Sequence, residues 1–427
     1  MGLIIRMGDK QTRITSAGVL ITILEYLWAF FVILNGNSVY HANANVDFHL
    51  LEIALGLTAL LLLANIAFMG VRVTRTNVLM AMILMLYTTI YLAFRQTSMT
   101  ASIFIKLFIV GAPVSYLLFA ELYRQGRLFK LLHRIVDIIC VLSLVSLVFW
   151  VFGELLGLIQ TNGYMELNWG SFNRIKGYYG IHFAFQLDTT FFPELFINRN
   201  SGIFAEAPMF NLWLSIAMAI ELFLKKKASK ARVILLAITI LTTLSVTGIL
   251  FLALSLGLFT ILHYREMGRK KRILLWGALM IIIPVVLVIL GKSFLLKTET
   301  QSYDMRLSDY VGGVKLWMDY PVFGCGYGNL SMLLPYIYSP NGIVGFSNSV
   351  TAVLGTGGIW IAMLFYFPLL GMLRPKLSGS RSVSCFGVCY LFTFCTTAFF
   401  GRYIAVIMLT LGLAIIFGSG RKELDAS

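Results

Sequence analysis

Apolar runs of about twenty residues, the length that carries an α-helix across about 30 Å of hydrocarbon, recur along the whole chain. "ALGLTALLLLANIAFMGV" and "ILLWGALMIIIPVVLVIL" are two of them. A segment in lipid must satisfy its own backbone hydrogen bonds, so runs this long and uniform predict helices and not barrel strands. With only 12% charged residues in 427, the ordinary soluble classes are excluded. The expected fold class is all-α: a polytopic integral membrane protein forming a single membrane domain over residues 1–427, with no repeats and no appended soluble domain.

Lys and Arg concentrate in short cytoplasmic loops, and here they cluster in alternate loops: Arg6 to Arg13, Arg72 to Arg75, "RQGRLFKLLHR", "KKKASKAR", "REMGRKKR", "RPKLSGSR" and Arg421 to Lys422. The pattern predicts a membrane protein with both termini cytoplasmic and about 12 membrane segments. They start near Ala17, Phe48, Asn77, Ala101, Ile135, Met209, Ile273, Phe346, Val383 and Tyr403, with two short helices, broken at "SVTGI", between the fourth and fifth basic clusters. The net charge of +15 then reads as topology and attraction to anionic membrane lipid, not as a nucleic-acid footprint. Of the five cysteines, Cys325 alone is expected outside, so no extracytoplasmic disulfide is expected.

Two extracytoplasmic connections are long, residues 160–200 and 291–345, and long loops in a compact protein usually carry function. The first ends in "NRNSGIFAEAPMF". Pro208 suits a first helical turn, Gly202 permits a sharp turn, and a helix N-terminus offers free N–H groups to an anion. Arg199 adds a guanidinium suited to phosphate, so this entry reads as a diphosphate seat. The competing reading is an Arg199–Glu206 ion pair that pins the loop. In the second loop Leu307, Tyr310, Val311, Val314 and Trp317 recur at helical spacing, which predicts an amphipathic surface helix ended by Pro321 and the glycines of "GCGYGN". Arg306, near its start, is a second phosphate cation or, alternatively, a headgroup contact. The aromatic side chains of the first loop, among them Tyr164, Trp169, Tyr178 and Phe183, fit a sugar path or a membrane-interface belt.

These segments resemble a known family. "RNSGIFAEAPMF" resembles the Arg-x-x-Gly-x-Phe-x-Glu-x-Pro entry of bacterial O-antigen polymerases and ligases, and "MRLSDYVGGVKLWMDYPVFGCGYGN" their Arg, Trp and Asp-x-Pro-Leu-Phe-Gly-x-Gly-x-Gly-Asn segment. "TTLSVTGILFLAL" resembles their Thr-x-Ser-Arg-Thr-Gly helix and "SNSVTAVLGTGGIWIAM" their His-Asn turn. The resemblance implies a GT-C-like membrane glycosyltransferase that uses an undecaprenyl-diphosphate-linked glycan as donor and acceptor on the extracytoplasmic face, without metal or other cofactor. Arg199 and Arg306 take the positions of its phosphate-binding arginines. Where the family often has Arg this chain has Val246, so Arg95 or Arg402 would supply that anion contact. Ser347 stands in place of the family's His, before Asn348, which argues against the ligase subclass and passes the base role to Glu206, with Asp304 and Asp309 in reserve. His182 stays outside the site as an alternative base. The expected substrate-binding set is Arg199, Arg306, Gly202, Arg95, Arg402, Asn348, Tyr310 and Trp317, and the catalytic set Glu206, Arg199 and Arg306.

The function so implied is polymerisation of lipid-linked repeat units by inverting transfer, for O-antigen, capsule or exopolysaccharide, with a chain-length regulator and a flippase as partners. The alternative within the family is an O-antigen ligase that moves the polymer to a lipid A-core acceptor. A flippase or other transporter is the rival outside it, and would place more ionisable groups deep within the helices than Lys106 and Asp137. A metal-dependent transferase would use acidic residues such as Asp47 and Glu52, but there is no Asp-x-Asp pair and no His/Cys cluster with metal spacing.

Overall fold

The computed structural model describes residues 2–94, 101–169, 172–184, 186–188, 191, 194, 196–264, 268, 301–337 and 345–418, without the side chains of residues 2–15, 169, 172–173 and 301–305. The helices follow the apolar runs: α1 (Gly2–Asn35), α2 (Leu50–Met69), α3 (Arg75–Phe94), α4 (Ala101–Arg124), α5 (Leu128–Leu155), α6 (Ala207–Phe223), α7 (Lys230–Thr242), α8 (Val246–His263), α9 (Gln301–Asp319), α10 (Ser349–Leu373), α11 (Arg381–Thr396) and α12 (Tyr403–Phe417). Among the described residues seven helices are long and apolar enough to cross a membrane. The chain is an all-α, multi-pass membrane protein. The segment expected from Ile273 lies outside the described residues, as do Arg95 and residues 291–300.

Large apolar side chains face outward along the helices, with Leu63 and Leu86 each 61% exposed, as lipid permits and water does not. Inside, where lipid tails give helices no hydrophobic drive to associate, small residues and polar pairs hold the bundle together. Trp28 Nε1 donates to Thr58 Oγ1 (3.0 Å), which meets the Tyr403 hydroxyl (2.8 Å), and that hydroxyl meets Ser115 Oγ (2.7 Å). One chain of hydrogen bonds thus ties α1, α2, α4 and α12. The two charges expected deepest in the helices are both paired, Lys106 with Glu52 (2.5 Å) and Asp137 with Arg232 (2.7 Å).

The break appears where it was expected, but only one of the two helices is short: α7 has 13 residues, whereas α8 has 18 and is among those long enough to cross a membrane. Thr243 ends α7, Leu244 takes a left-handed φ of 47°, and Ser245 caps α8 by accepting from Gly248 N (3.4 Å).

The first long loop holds a three-stranded antiparallel sheet, which was not expected: β1 (Gly163–Trp169), β2 (Phe172–Tyr178) and β3 (His182–Ala184), in the order β1-β2-β3. Successive strand residues face opposite sides, so Leu167 joins Ile175, Phe183, Val39, Ala42 and Ala205 in a small core of their own. Tyr164 faces out and covers the Arg174 guanidinium at 4.2 Å. Tyr178 and Phe183 are therefore packing residues, buried in the sheet, not exposed platforms for sugar. Bridges from Ser38 to Phe204 and from Asn43 to Leu167 fasten the sheet over the start of α6.

The helix expected in the second loop is α9. Its packed face carries Asp309, Gly312, Gly313 and Leu316, while Leu307, Tyr310 and Val311 are exposed. The glycines decide this. A Cβ on Gly313 would lie 2.7 Å from Thr351 Cβ, and one on Gly355 2.9 Å from Gly313 O, so α9 and α10 meet backbone to backbone. The apolar stripe is left facing outward, where an interfacial helix presents it to lipid.

Candidate active site

The segment preceding α6 is held from both sides. Arg199 N donates to Gln186 O (2.8 Å) and Asn200 N to Thr242 O (3.1 Å). Asn198 Nδ2 donates to Glu154 Oε2 (2.5 Å), and Trp150 Nε1 donates to Asn198 O (2.8 Å). Gly202 sits at φ 56°, a conformation that L side chains rarely adopt. Pro208 sits in the first turn of α6, as the sequence predicted, and Glu206 occupies the N-cap position.

This clamp lays Arg199 on the α7–α8 break, where Nε donates to Thr243 O (2.9 Å). The Nη groups make no hydrogen bond among the described residues. Burial pushes the guanidinium down to about 10, against the fields of Asp188 and Glu206, which raise it, while Arg306 lowers it further. The three residues expected to be catalytic, Arg199, Glu206 and Arg306, therefore share one electrostatic neighbourhood, although Arg306 comes from α9.

Around Arg306 the side chains are fixed by the α9–α10 contact. Burial raises the Asp309 pKa, opposed by its hydrogen bonding to Ser347 and the Arg306 charge, and Asp309 Oδ2 accepts from Ser347 N (3.0 Å). Asn348 is fully buried. It caps α10, its Oδ1 accepting from Thr351 N (2.8 Å), and its Nδ2 has no hydrogen-bond partner among the described residues. A buried amide N–H without an acceptor is costly, and a ligand oxygen would satisfy it. Tyr310 donates its hydroxyl proton to Cys395 O, and Trp317 Nε1 closes the turn after α9 on Pro321 O (3.1 Å). Both of these expected binding residues thus spend their polar atoms on the scaffold.

The glycine segment that follows docks into an interruption of α10. Gly358 leaves helical geometry at φ 60° and ψ −171°, and there Ile359 N donates to Pro321 O (2.9 Å) and Trp360 N to Val322 O (3.0 Å). A Cβ on Gly324 would lie 2.3 Å from Thr356 O, and one on Gly358 2.4 Å from Gly324 N. Irregular backbone within a membrane bundle is tolerated where protein satisfies it, and these contacts do so.

Arg402 belongs to a different group. It hydrogen-bonds His41 Nε2, and burial lowers it to about 10. His41 is held down to about 3 by burial and by the Arg402 charge, against Asp47 and Glu52, so its ring is neutral and accepts from the guanidinium. Arg402 does not appear among the charges acting on Arg199. Sequence reasoning missed His41, Asp188 and Asn200: the first two sit in no apolar period or motif, and Asn200, although inside "NRNSGIFAEAPMF", has a polar side chain that nothing in the motif assigns to the α7 end. Among the described residues no group of three or more His, Cys, Asp or Glu gathers as a metal site would require.

Fold and site together define a multi-pass membrane protein with a cationic cluster where a broken helix pair, a clamped loop and an interfacial helix meet. Residues 231–367 match the family model described as O-Antigen ligase, and this match supports the O-antigen polymerase/ligase family for the chain. No curated protein matches it. The matched stretch holds Thr243, Arg306 and Asn348, and Arg199 reaches it from outside through its bond to Thr243 O.

Proposed function

We propose that the chain polymerises undecaprenyl-diphosphate-linked oligosaccharide repeat units on the extracytoplasmic face of the bacterial inner membrane. The observation that carries this reading is the half-buried Arg199 guanidinium, oriented by Thr243 O with its Nη groups unspent among the described residues, in the shared field of Glu206 and Arg306. A diphosphate is a good leaving group, so cations placed where its charge develops supply most of what the reaction needs. An acceptor hydroxyl attacks the anomeric carbon, Glu206 takes its proton, and the bond to the diphosphate breaks with the electron pair leaving on phosphate. The attack comes from the face opposite the leaving group, so configuration inverts. The Asn348 amide is available to a further oxygen of the substrate. The donor and acceptor are lipid-linked glycans, and a flippase and a chain-length regulator are the expected partners.

The second reading is transfer of the finished polymer to a lipid acceptor, favoured by the description of the matching family. Ser347 in place of a histidine beside Asn348 supports polymerisation instead. Reconstitution with lipid-linked repeat units separates the readings. A ladder of growing glycan, with the rate cut on the order of 10²- to 10³-fold in Arg199→Ala and in Arg306→Ala, is expected. Transfer of preformed polymer without ladder growth makes the chain a ligase. Lipid movement across the vesicle with no glycosidic bond formed makes it a transporter.

A further inference from the structure

A wide concavity lies at the opposite end of α5 and α6 from Arg199. It encloses about 1270 Å³ and is lined by Arg124, Lys130, Lys225, Lys226, Lys227 and Arg232. The acidic residue in the lining is Asp137. Two more carboxylates stand behind it, Glu121 bonded to Arg124 (2.8 Å) and Glu221 bonded to Lys225 (2.8 Å). Six cations against these three carboxylates leave a surplus of three positive charges.

The topological bias of basic residues toward one membrane face would spread cations around the rim. Here they converge from the ends of four helices, while Arg72, Arg75, Arg374 and Lys376 at neighbouring loops stay outside the lining. Two imidazoles line the same space. His133 Nδ1 and His263 Nδ1 each meet a carbonyl one turn back, Phe129 O (2.5 Å) and Phe259 O (2.9 Å), and His133 Nε2 is buried with no hydrogen-bond partner among the described residues. Ser380 and Ser382 add the capped N-terminus of α11, which favours negative charge. Leu222, Leu224, Phe223 and Phe259 complete the wall with apolar surface.

We infer that this cavity binds a ligand carrying two phosphates, the chemistry shared by a dianionic phospholipid headgroup and a free diphosphate. Basic pockets between membrane helices on the positively charged side take such groups, and the apolar wall offers room for the first carbons of an acyl chain. The cavity stands apart from the proposed transfer site, so its occupancy is separable from catalysis.

The full chain in detergent, examined by native mass spectrometry, tests this with cardiolipin, phosphatidylcholine and inorganic diphosphate as probes. The variants are Lys130→Gln/Lys226→Gln/Lys227→Gln, all at exposed positions, and Arg199→Ala/Arg306→Ala. Retention of cardiolipin over phosphatidylcholine, weakened about tenfold or more in the lysine variant and unchanged in the arginine variant, is expected. Cardiolipin that inorganic diphosphate fails to displace assigns a lipid; displacement, or diphosphate binding alone, assigns a soluble ligand. Equal binding by the lysine variant and the native chain, or no binding of either phosphate probe above the phosphatidylcholine level, overturns the inference.

Discussion

His182 is fully buried between Phe149 and Tyr178, with neither ring nitrogen hydrogen-bonded among the described residues. Burial pushes its pKa down to about 4. A base whose folded pKa lies below its unfolded value takes up protons on unfolding, so the stability it leaves intact is full above pH 6.5 and is lost as the pH falls toward 4, levelling off below. The loss amounts to about 3 kcal/mol. Thermal unfolding between pH 7 and pH 4 should therefore show a slope that His182→Leu reduces by that amount, with His41 contributing further through the same sign of shift; an unchanged slope in the variant removes His182 as a cause. The contrast with Arg199 is instructive. Arg199 could be read from the sequence because it stands three residues before a glycine and seven before a glutamate at a helix entry. His182 and Asp188 stand in a polar-aromatic loop with no period to place them inside or out.

The helices were legible because hydrocarbon thickness fixes their length, and the α7–α8 break because two basic clusters lay too close for two ordinary crossings. The sheet was not. Alternation runs through "GYMELNW", but Tyr164 on the outward face is as apolar as Met165 on the inner one, so the pattern reads as an aromatic loop. The packed face of α9 was missed for a related reason: hydrophobic spacing finds large side chains, whereas this helix packs through Gly312 and Gly313. Glycine also decides the seam between the "GCGYGN" segment and α10. Gly324→Ala and Gly358→Ala each place a Cβ within 2.5 Å of backbone atoms at a positive φ, where neither strain nor clash can be relieved by a rotamer. Gly328 shares the positive φ, at 76°, but opens on space. Gly328→Ala should cost about 1 kcal/mol, the left-handed backbone penalty alone, and the other two several times as much, with loss of transfer activity. Thermal unfolding of the three purified variants measures the difference, and equal losses would remove the seam as the origin of the cost.

At the scale of the whole molecule, α5 runs between two separate cationic sites. Its 22 α-helical residues, Leu128–Phe149, rise about 33 Å at 1.5 Å each, enough to cross the hydrocarbon core, before a π-helical turn at Trp150–Leu155. At one end Trp150 and Glu154 hold the loop that presents Arg199; at the other, Lys130, His133 and Asp137 line the basic cavity. Under the positive-inside bias the basic end is expected on the cytoplasmic side, and the proposed function requires the Arg199 cluster and the sheet to lie on the other. Residues at the two ends must then differ in access from outside the cell. In a chain whose five cysteines are replaced by serine, Tyr164→Cys, 59% exposed on the sheet, should react with a membrane-impermeant maleimide on intact spheroplasts. Lys226→Cys, exposed at the basic end, should react only after permeabilisation. Reaction of both cysteines from the same side would mean that the sheet and the cavity do not lie across a bilayer. The reverse pattern would place the arginine cluster in the cytoplasm, away from the extracytoplasmic substrate that the polymerase reading requires.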